Sequence, residues 1–208
     1  MDEATLMSQH VSCSISFNEW IKQRDEVYRR FLEDIEIGYA DRDVIDFIKL
    51  VFTKKKIYTT SSCSGRITVI DASYPWLREE SYVIYKKHEP ITVDDIEQII
   101  YSHIPKYRFW LVASGPILHF VVLDLQSASL LLKIVHGAGF KHSGIISLGG
   151  SGIVIEAVSG TWTSFLLKEG SELLVSDLAR IVKVANEVLI EGKKRLEKLF
   201  KVIKETDI

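Results

Sequence analysis

The sequence predicts an α+β fold in which a mixed, largely antiparallel sheet is flanked by helices, without a Rossmann-type core. Three observations predict it. Segments of helical spacing lie at both ends of the chain, while short β-branched and aromatic runs fill the middle. The order of elements lacks the regular strand–helix alternation of a doubly wound sheet. No G-x-G-x-x-G follows a first strand, so the dinucleotide fingerprint is missing.

The elements follow in order. A helical N-terminal segment covers about residues 17–52. In it Phe17, Trp20, Ile21, Tyr28, Phe31, Leu32 and Ile35 recur at helical spacing, and Gly38 offers a stop. A second helix is expected from Asp43 to Phe52. Character changes at Lys54: residues 54–60 read as a strand, Ser61–Gly65 as a polar loop, and Arg66–Ile70 as the returning strand of a hairpin. Ser81–Lys87 is a third strand. Thr92 caps a helix to about His103, with Asp94 and Asp95 in its first turn, where carboxylates suit the helix dipole. Phe109–Asp124 is an apolar run broken by Gly115-Pro116, hence two strands or one kinked strand. Ser127–His136 is a helix. Gly144–Leu148, Ile153–Val158 and Thr161–Leu167 read as an antiparallel meander. A long helix, about 175–204 and strongly basic in its last third, finishes the chain. No internal repeat or low-complexity linker divides residues 1–208, which read as one domain.

Bulk properties narrow the class. The 208 residues are 47% hydrophobic and 26% charged. A chain of this length buries roughly 70% of its unfolded surface, so neither metal nor disulfides are needed to hold it together. Cys13 and Cys63 are too few for a disulfide framework. The start, MDEATLMSQH, has no signal-peptide core, and no run reaches the ~18 apolar residues of a membrane span. The expectation is a cytoplasmic protein without membrane contact. A net charge of −2 gives no bulk support for an RNA partner, whose phosphates demand cations. Any such contact must come from local patches: Lys54–Lys56, Lys86-Lys87-His88, Lys106 with Arg108, and the terminal helix.

Three segments carry the candidate chemistry. In Thr59–Arg66, hydroxyls, a thiol and a glycine sit between apolar strands; backbone N–H groups and hydroxyls in such a loop suit an anion, and Arg66 adds a bidentate donor. A polar loop with no ligand has the same composition. Cys63 is a nucleophile only in an electropositive setting. Gly139–Gly144 brackets Phe140, Lys141, His142 and Ser143 between glycines, as in a ligand-contact turn or a plain helix–strand connection. His119 stands in the apolar strand Pro116–Phe120, where a hydrogen-bonded core histidine is the commoner case. No Cys/His pair has metal-ligand spacing, so no metal is expected.

These segments together resemble the wybutosine-synthesising tRNA methyltransferase family, the third enzyme of that pathway and its archaeal counterparts. The resemblance is carried by Tyr58-Thr59-Thr60-Ser61-Ser62-Cys63-Ser64-Gly65-Arg66-Ile67, by Pro116-Ile117-Leu118-His119, and by Gly139-Phe140-Lys141-His142-Ser143-Gly144-Ile145, with Asn186 in an Ala-Asn pair of the last helix. Ala113-Ser114-Gly115-Pro116 and Thr161–Ser164 depart from the family's pattern. The resemblance implies transfer of a methyl group from S-adenosylmethionine to a ring nitrogen (N4) of a demethylated wyosine-type base, 3′ of the anticodon in phenylalanine tRNA. It implies a non-Rossmann fold. On that reading Ser61, Ser62, Ser64, Gly65, Arg66, Phe140 and Ser143 belong to the cofactor, with an RNA phosphate as the alternative anion for the Ser-rich loop and Arg66; Lys141, Cys63 and Lys56 belong to the substrate, and His142 or His119 removes the proton. Lys54–Lys56 and the terminal basic helix are then contacts for the anticodon stem. A homodimer is left open. Two other readings compete: a non-catalytic RNA-binding module, and a Cys63-dependent enzyme acting on a phosphorylated small molecule.

Overall fold

The computed structural model describes residues 16–77 and 79–208; Cys13 and the polar start of the chain lie outside the described residues. The N-terminal segment forms α1 (Phe17–Glu36), closed at its start by a reciprocal capping box between Ser16 and Glu19. A single 3-10 turn, Arg42–Val44, leads into α2 (Ile45–Phe52), which is shorter than the expected helix because the first residues wind more tightly.

Nine strands make up two sheets among the described residues, and every pairing is antiparallel. They are β1 (Ile57–Cys63), β2 (Arg66–Asp71), β3 (Tyr82–Lys87), β4 (Arg108–Ser114), β5 (Ile117–Val122), β6 (Gly144–Gly149), β7 (Gly152–Val158), β8 (Trp162–Glu169) and β9 (Glu172–Leu173). One sheet runs β1-β5-β7-β6, the other β3-β2-β4-β8-β9. Between the strands lie α3 (Val93–Ser102) and α4 (Leu125–Gly137), and α5 (Leu178–Glu205) closes the chain. Thr92 caps α3 as the sequence predicts. Buried Lys168 donates to the carbonyls of Ile100 and His103 at the other end of α3, satisfying acceptors the helix leaves open.

Two expected connections turn out differently. The hairpin over residues 54–70 does not form: Ser61–Cys63 continue the strand, and β2 leaves for the other sheet instead of returning along β1. The meander also breaks, because β6 pairs with β7 whereas β8 pairs with β4. The reason is the same in both places. Ser64-Gly65, Gly115-Pro116 and Ser159–Thr161 do not reverse the chain; they carry β1 into β2, β4 into β5 and β7 into β8. The two sheets are thus successive halves of long strands bent along one seam.

Glycine makes the seam possible. Gly65 has φ +101°, and a Cβ there would lie 2.7 Å from the Ser114 carbonyl oxygen. A Cβ on Gly115 would lie 2.0 Å from Thr161 Oγ1. Helix α5 crosses the seam at Gly192, whose own Cβ would meet the backbone of Gly115 at 2.7 Å. On one side of Gly192, Val182, Ala185 and Leu189 join Ile67, Val69, Phe109 and Leu111 in one apolar cluster. On the other, Leu196, Leu199 and Ile203 join Leu118, Phe120, Ile155 and residues of α1, α2 and α4 in a second cluster. Asn186, expected to be part of a recurrent motif, clamps the backbone of Ile91 with two hydrogen bonds of 2.9 Å.

Candidate active site

Among the described residues β1 stands at the edge of its sheet, with no ladder partner on its outer side. Against that side stand the C-terminal half of α1 and the connection to α2. Between them lies a cleft of about 680 Å³. Its β1 wall is the run Thr59–Cys63, and Arg66 continues that wall past the seam. Lys86 and His88 close it from β3 and the residues after it, and Arg30, Asp34 and Asp41 face them. Hydroxyls and cations thus converge on a concave surface. A bulge between Thr59 and Ser61 brings the Thr59 and Ser62 hydroxyls to 2.6 Å from each other.

The seam end of the cleft is tightly wired. Asp41 Oδ2 accepts from the Ser64 N–H at 2.7 Å and lies 3.2 Å from His88 Nδ1. The same Nδ1 is 2.8 Å from the Gly65 carbonyl oxygen, and Cys63 Sγ is 3.9 Å from it. A ring nitrogen between two oxygen acceptors must carry a proton. Burial alone would raise the Asp41 pKa, but the hydrogen bonds from His88 and Ser64 outweigh it and hold the carboxyl well below the usual carboxylate range. The hydrogen bond to Asp41, supported by that to Cys63, pushes His88 up to about 10, so the ring is an imidazolium at neutral pH. Asp41, Cys63 and His88 offer ligand atoms within 4.8 Å of one another, the spacing of a metal site. The proton on Nδ1, committed to the Gly65 carbonyl, argues against ligation through that atom.

The cleft brings together Ser61, Ser62, Cys63 and Arg66 of the predicted set. Ser64 and Gly65 are buried within the crossing and shape it rather than face the cleft. His119 pairs directly with Ser61 in the β1–β5 ladder, so it borders the cleft wall at a Cα separation of about 5 Å. Its Nε2 lies 3.2 Å from Glu156 Oε1, on the next strand of the same row. With the Nε2–H donated to that carboxylate, Nδ1 keeps the lone pair; that atom is buried and has no hydrogen-bond partner among the described residues.

The turn 139–144 does not join them. No residue of this turn lines the cleft, so Ser62 and His142, both assigned to the site by the resemblance, do not share it. β6, which follows the turn, is three strands from β1, about 14 Å at ordinary strand spacing. Phe140 is fully buried in the apolar core and has no face to stack on a ligand. Ser143 Oγ donates to the Phe140 carbonyl and accepts from the Val158 N–H, which uses up its hydroxyl. Lys141 lines a separate shallow pocket with Arg195, and exposed His142 packs against Gly160. Lys56 is also elsewhere: it pairs with Asp124 at 3.0 Å, roughly 20 Å along the strand from Cys63. Lys54 donates to the carbonyls of Lys204 and Thr206 and ties down the C-terminus. In α5, Lys193 pairs with Asp43, Arg195 donates to Ser159 and Gly139, and Lys198 to Gly137. Lys194, Lys201 and Lys204 remain exposed.

Sequence reasoning missed Asp41, Glu156 and Arg30. Nothing local marks them: Asp41 sits in a helix connection, Glu156 in an apolar strand, and Arg30 on a charged helix face. His88 stood in a basic run that reads as a solvated surface.

A bent antiparallel sheet backed by helices, with a cleft at its edge lined by hydroxyls and cations, defines an α+β protein without a Rossmann-type core. Its family follows from comparison with known proteins. The family model described as Methyltransferase TYW3 matches residues 20–205, and the chain belongs to that family. It is therefore an enzyme that transfers a methyl group and requires a methyl donor. A relative in Saccharolobus solfataricus is 37% identical over 183 residues, covering 86% of this chain and 87% of its own length. One in Aeropyrum pernix is 36% identical over 177 residues, covering 84% and 93%. Both are named tRNA(Phe) 7-((3-amino-3-carboxypropyl)-4-demethylwyosine(37)-N(4))-methyltransferase. The PH1069 protein from Pyrococcus horikoshii has the same fold, with a TM-score of 0.85 at 26% identity over 90% of this chain and 97% of that one. Among the described residues no helix is long and apolar enough to cross a membrane.

Proposed function

We propose that this chain transfers a methyl group from S-adenosylmethionine to N4 of 7-(3-amino-3-carboxypropyl)-4-demethylwyosine at position 37 of phenylalanine tRNA, in the cytoplasm. The cleft at the edge of β1 carries the reading. The base for which the relatives are named bears an amino-carboxypropyl arm, and S-adenosylmethionine bears an amino-acid tail of the same kind. Each needs cations and hydroxyl donors for its carboxylate, and Arg30, Arg66 and Lys86 share the cleft with Ser61 and Ser62. That donor set fits the cofactor's tail.

When bound, S-adenosylmethionine supplies an electrophilic methyl group on a sulfonium that leaves as a neutral thioether. The leaving group then needs no acid, and the chain's tasks are to align donor with acceptor and to take the acceptor's proton. Arg66 grips a carboxylate, and the Ser61 and Ser62 hydroxyls orient it. His119, set in its tautomer by Glu156, takes the proton that the ring nitrogen must lose. His119 is favoured over His142 because it borders Ser61. The exposed lysines Lys194, Lys201 and Lys204 are the part of the terminal helix left for RNA phosphates. The test is to incubate the protein with labelled S-adenosylmethionine and tRNA from a strain lacking this activity. Label is expected in the nucleoside at position 37; an unlabelled tRNA would sink the reading.

A further inference from the structure

Asp41 and His88 come from distant parts of the chain, the α1–α2 connection and the segment after β3. Between them they hold three consecutive residues of the crossing: His88 lies against Cys63 Sγ and donates its Nδ1–H to the Gly65 carbonyl, while Asp41 accepts from the Ser64 N–H. The crossing separates two cleft-lining groups, Ser61 on β1 and Arg66 on β2, which belong to different sheets. Gly65, at φ +101°, has wide backbone freedom and would not hold that geometry unaided. We propose that Asp41 and His88 are positioning residues for methyl transfer, pinning Cys63–Gly65 so that Ser61 and Arg66 present a fixed pair of anchors to the ligand. This inference rests on the cleft being the methyl-transfer site.

The pinning depends on a charged ring. Asp41 faces His88 directly, Cys63 from β1, and Arg66 and Lys86 share the cleft, with Arg30 and Asp34 on the α1 wall. Burial opposes the imidazolium, and the hydrogen bonds to Asp41 and Cys63 outweigh it. The raised His88 value means its contribution is complete below the ordinary 6.5 and is lost as pH rises through about 10. The lowered Asp41 value means its contribution is present above the ordinary 3.8 and is lost in acid. The clamp is therefore intact throughout the neutral range.

The experiment compares the wild-type protein with Asp41→Asn and His88→Gln. Methyl transfer to tRNA and calorimetric binding of S-adenosylmethionine are both measured from about pH 6 to 9. The wild-type protein is expected to keep one affinity across that range as far as His88 is concerned. Asp41→Asn should be near wild type at pH 6 and lose on the order of tenfold in affinity and kcat/KM by pH 8.5, as the ring deprotonates near its ordinary value. His88→Gln keeps a donor for the Gly65 carbonyl but no charge; it should be impaired about equally at every pH. Retention of wild-type binding and turnover by both variants at all pH values would overturn the proposal. A loss in Asp41→Asn that ignores pH would overturn it too, since that is what mere destabilisation gives. If Asp41→Asn does not fold, the wild-type ring decides by NMR: an imidazole that titrates below pH 7 refutes the clamp, and one still protonated at pH 8.5 supports it. Stoichiometric zinc that disappears in Cys63→Ser would also refute it, because Nδ1 would then be a ligand and not a donor. A wild-type protein that binds S-adenosylmethionine but methylates no tRNA would defeat the functional reading, and the binding data would still judge the clamp.

Discussion

The crossing Cys63–Arg66 and the turn Gly139–Gly144 look alike on paper. Each brackets hydroxyls and a cation with glycine, and each follows one regular element and precedes another. In the structure they part company. The crossing ends a strand that stands at the sheet edge among the described residues, and the hydroxyls of β1 line a cleft there. The turn ends a helix and starts a strand, and its groups close that connection: Phe140 fills the core and Ser143 ties two backbone groups together. A polar motif is free to bind only where the backbone around it is already satisfied by other means.

Four substitutions would break or sharpen this contrast. The largest effect is expected at His119, where replacement by Ala should lower kcat by about 10²–10⁴ with affinity for S-adenosylmethionine kept. A rate within threefold of wild type would leave the site without its base. Phe140→Ala should act on stability alone and cost about 3–5 kcal/mol by chemical denaturation. If it weakened ligand binding in the folded protein instead, the turn would belong to the site after all. Arg66→Ala should lower affinity for S-adenosylmethionine or tRNA by about 10–100-fold, the worth of a charge-assisted hydrogen bond of roughly 1.5–3 kcal/mol, with the melting temperature nearly unchanged. Unaltered binding of both ligands would remove the anion role. His142→Ala should change neither rate nor stability by more than about twofold or 0.5 kcal/mol, as for an exposed side chain clear of the cleft. A pH-dependent loss of turnover there would reopen the choice between the two histidines.

The fold was legible where local pattern decides it. Helical spacing placed α1 and α5, and Thr92 announced α3 through its cap. The path of the chain at the seam was not legible, because Ser64-Gly65 and Gly115-Pro116 have the composition of reversals. Only packing shows that they are bends, Gly65 against Ser114 and Gly115, and Gly115 against Thr161 and Gly192. For the site, the run Ser61–Arg66 could be read directly, since hydroxyls between β-formers are unusual enough to notice. Asp41 and Glu156 could not. Each acts through partners far from it in sequence: Asp41 through Ser64 and His88, Glu156 through His119.

Gly192 has a further consequence. Glycine inside a helix ordinarily costs roughly 0.5–1 kcal/mol relative to alanine, so Gly192→Ala ought to strengthen α5. Here the added methyl would be driven into Gly115 and Pro116, and overpacking of about 1–3 kcal/mol reverses the sign. The last helix therefore works as a splint laid over a fold line: its two apolar stripes belong to different cores, and the notch at Gly192 lets both seat at once. Neither core can loosen without tugging on the other. The slowest-exchanging amides of the two halves should accordingly open together, in a single melting event rather than two.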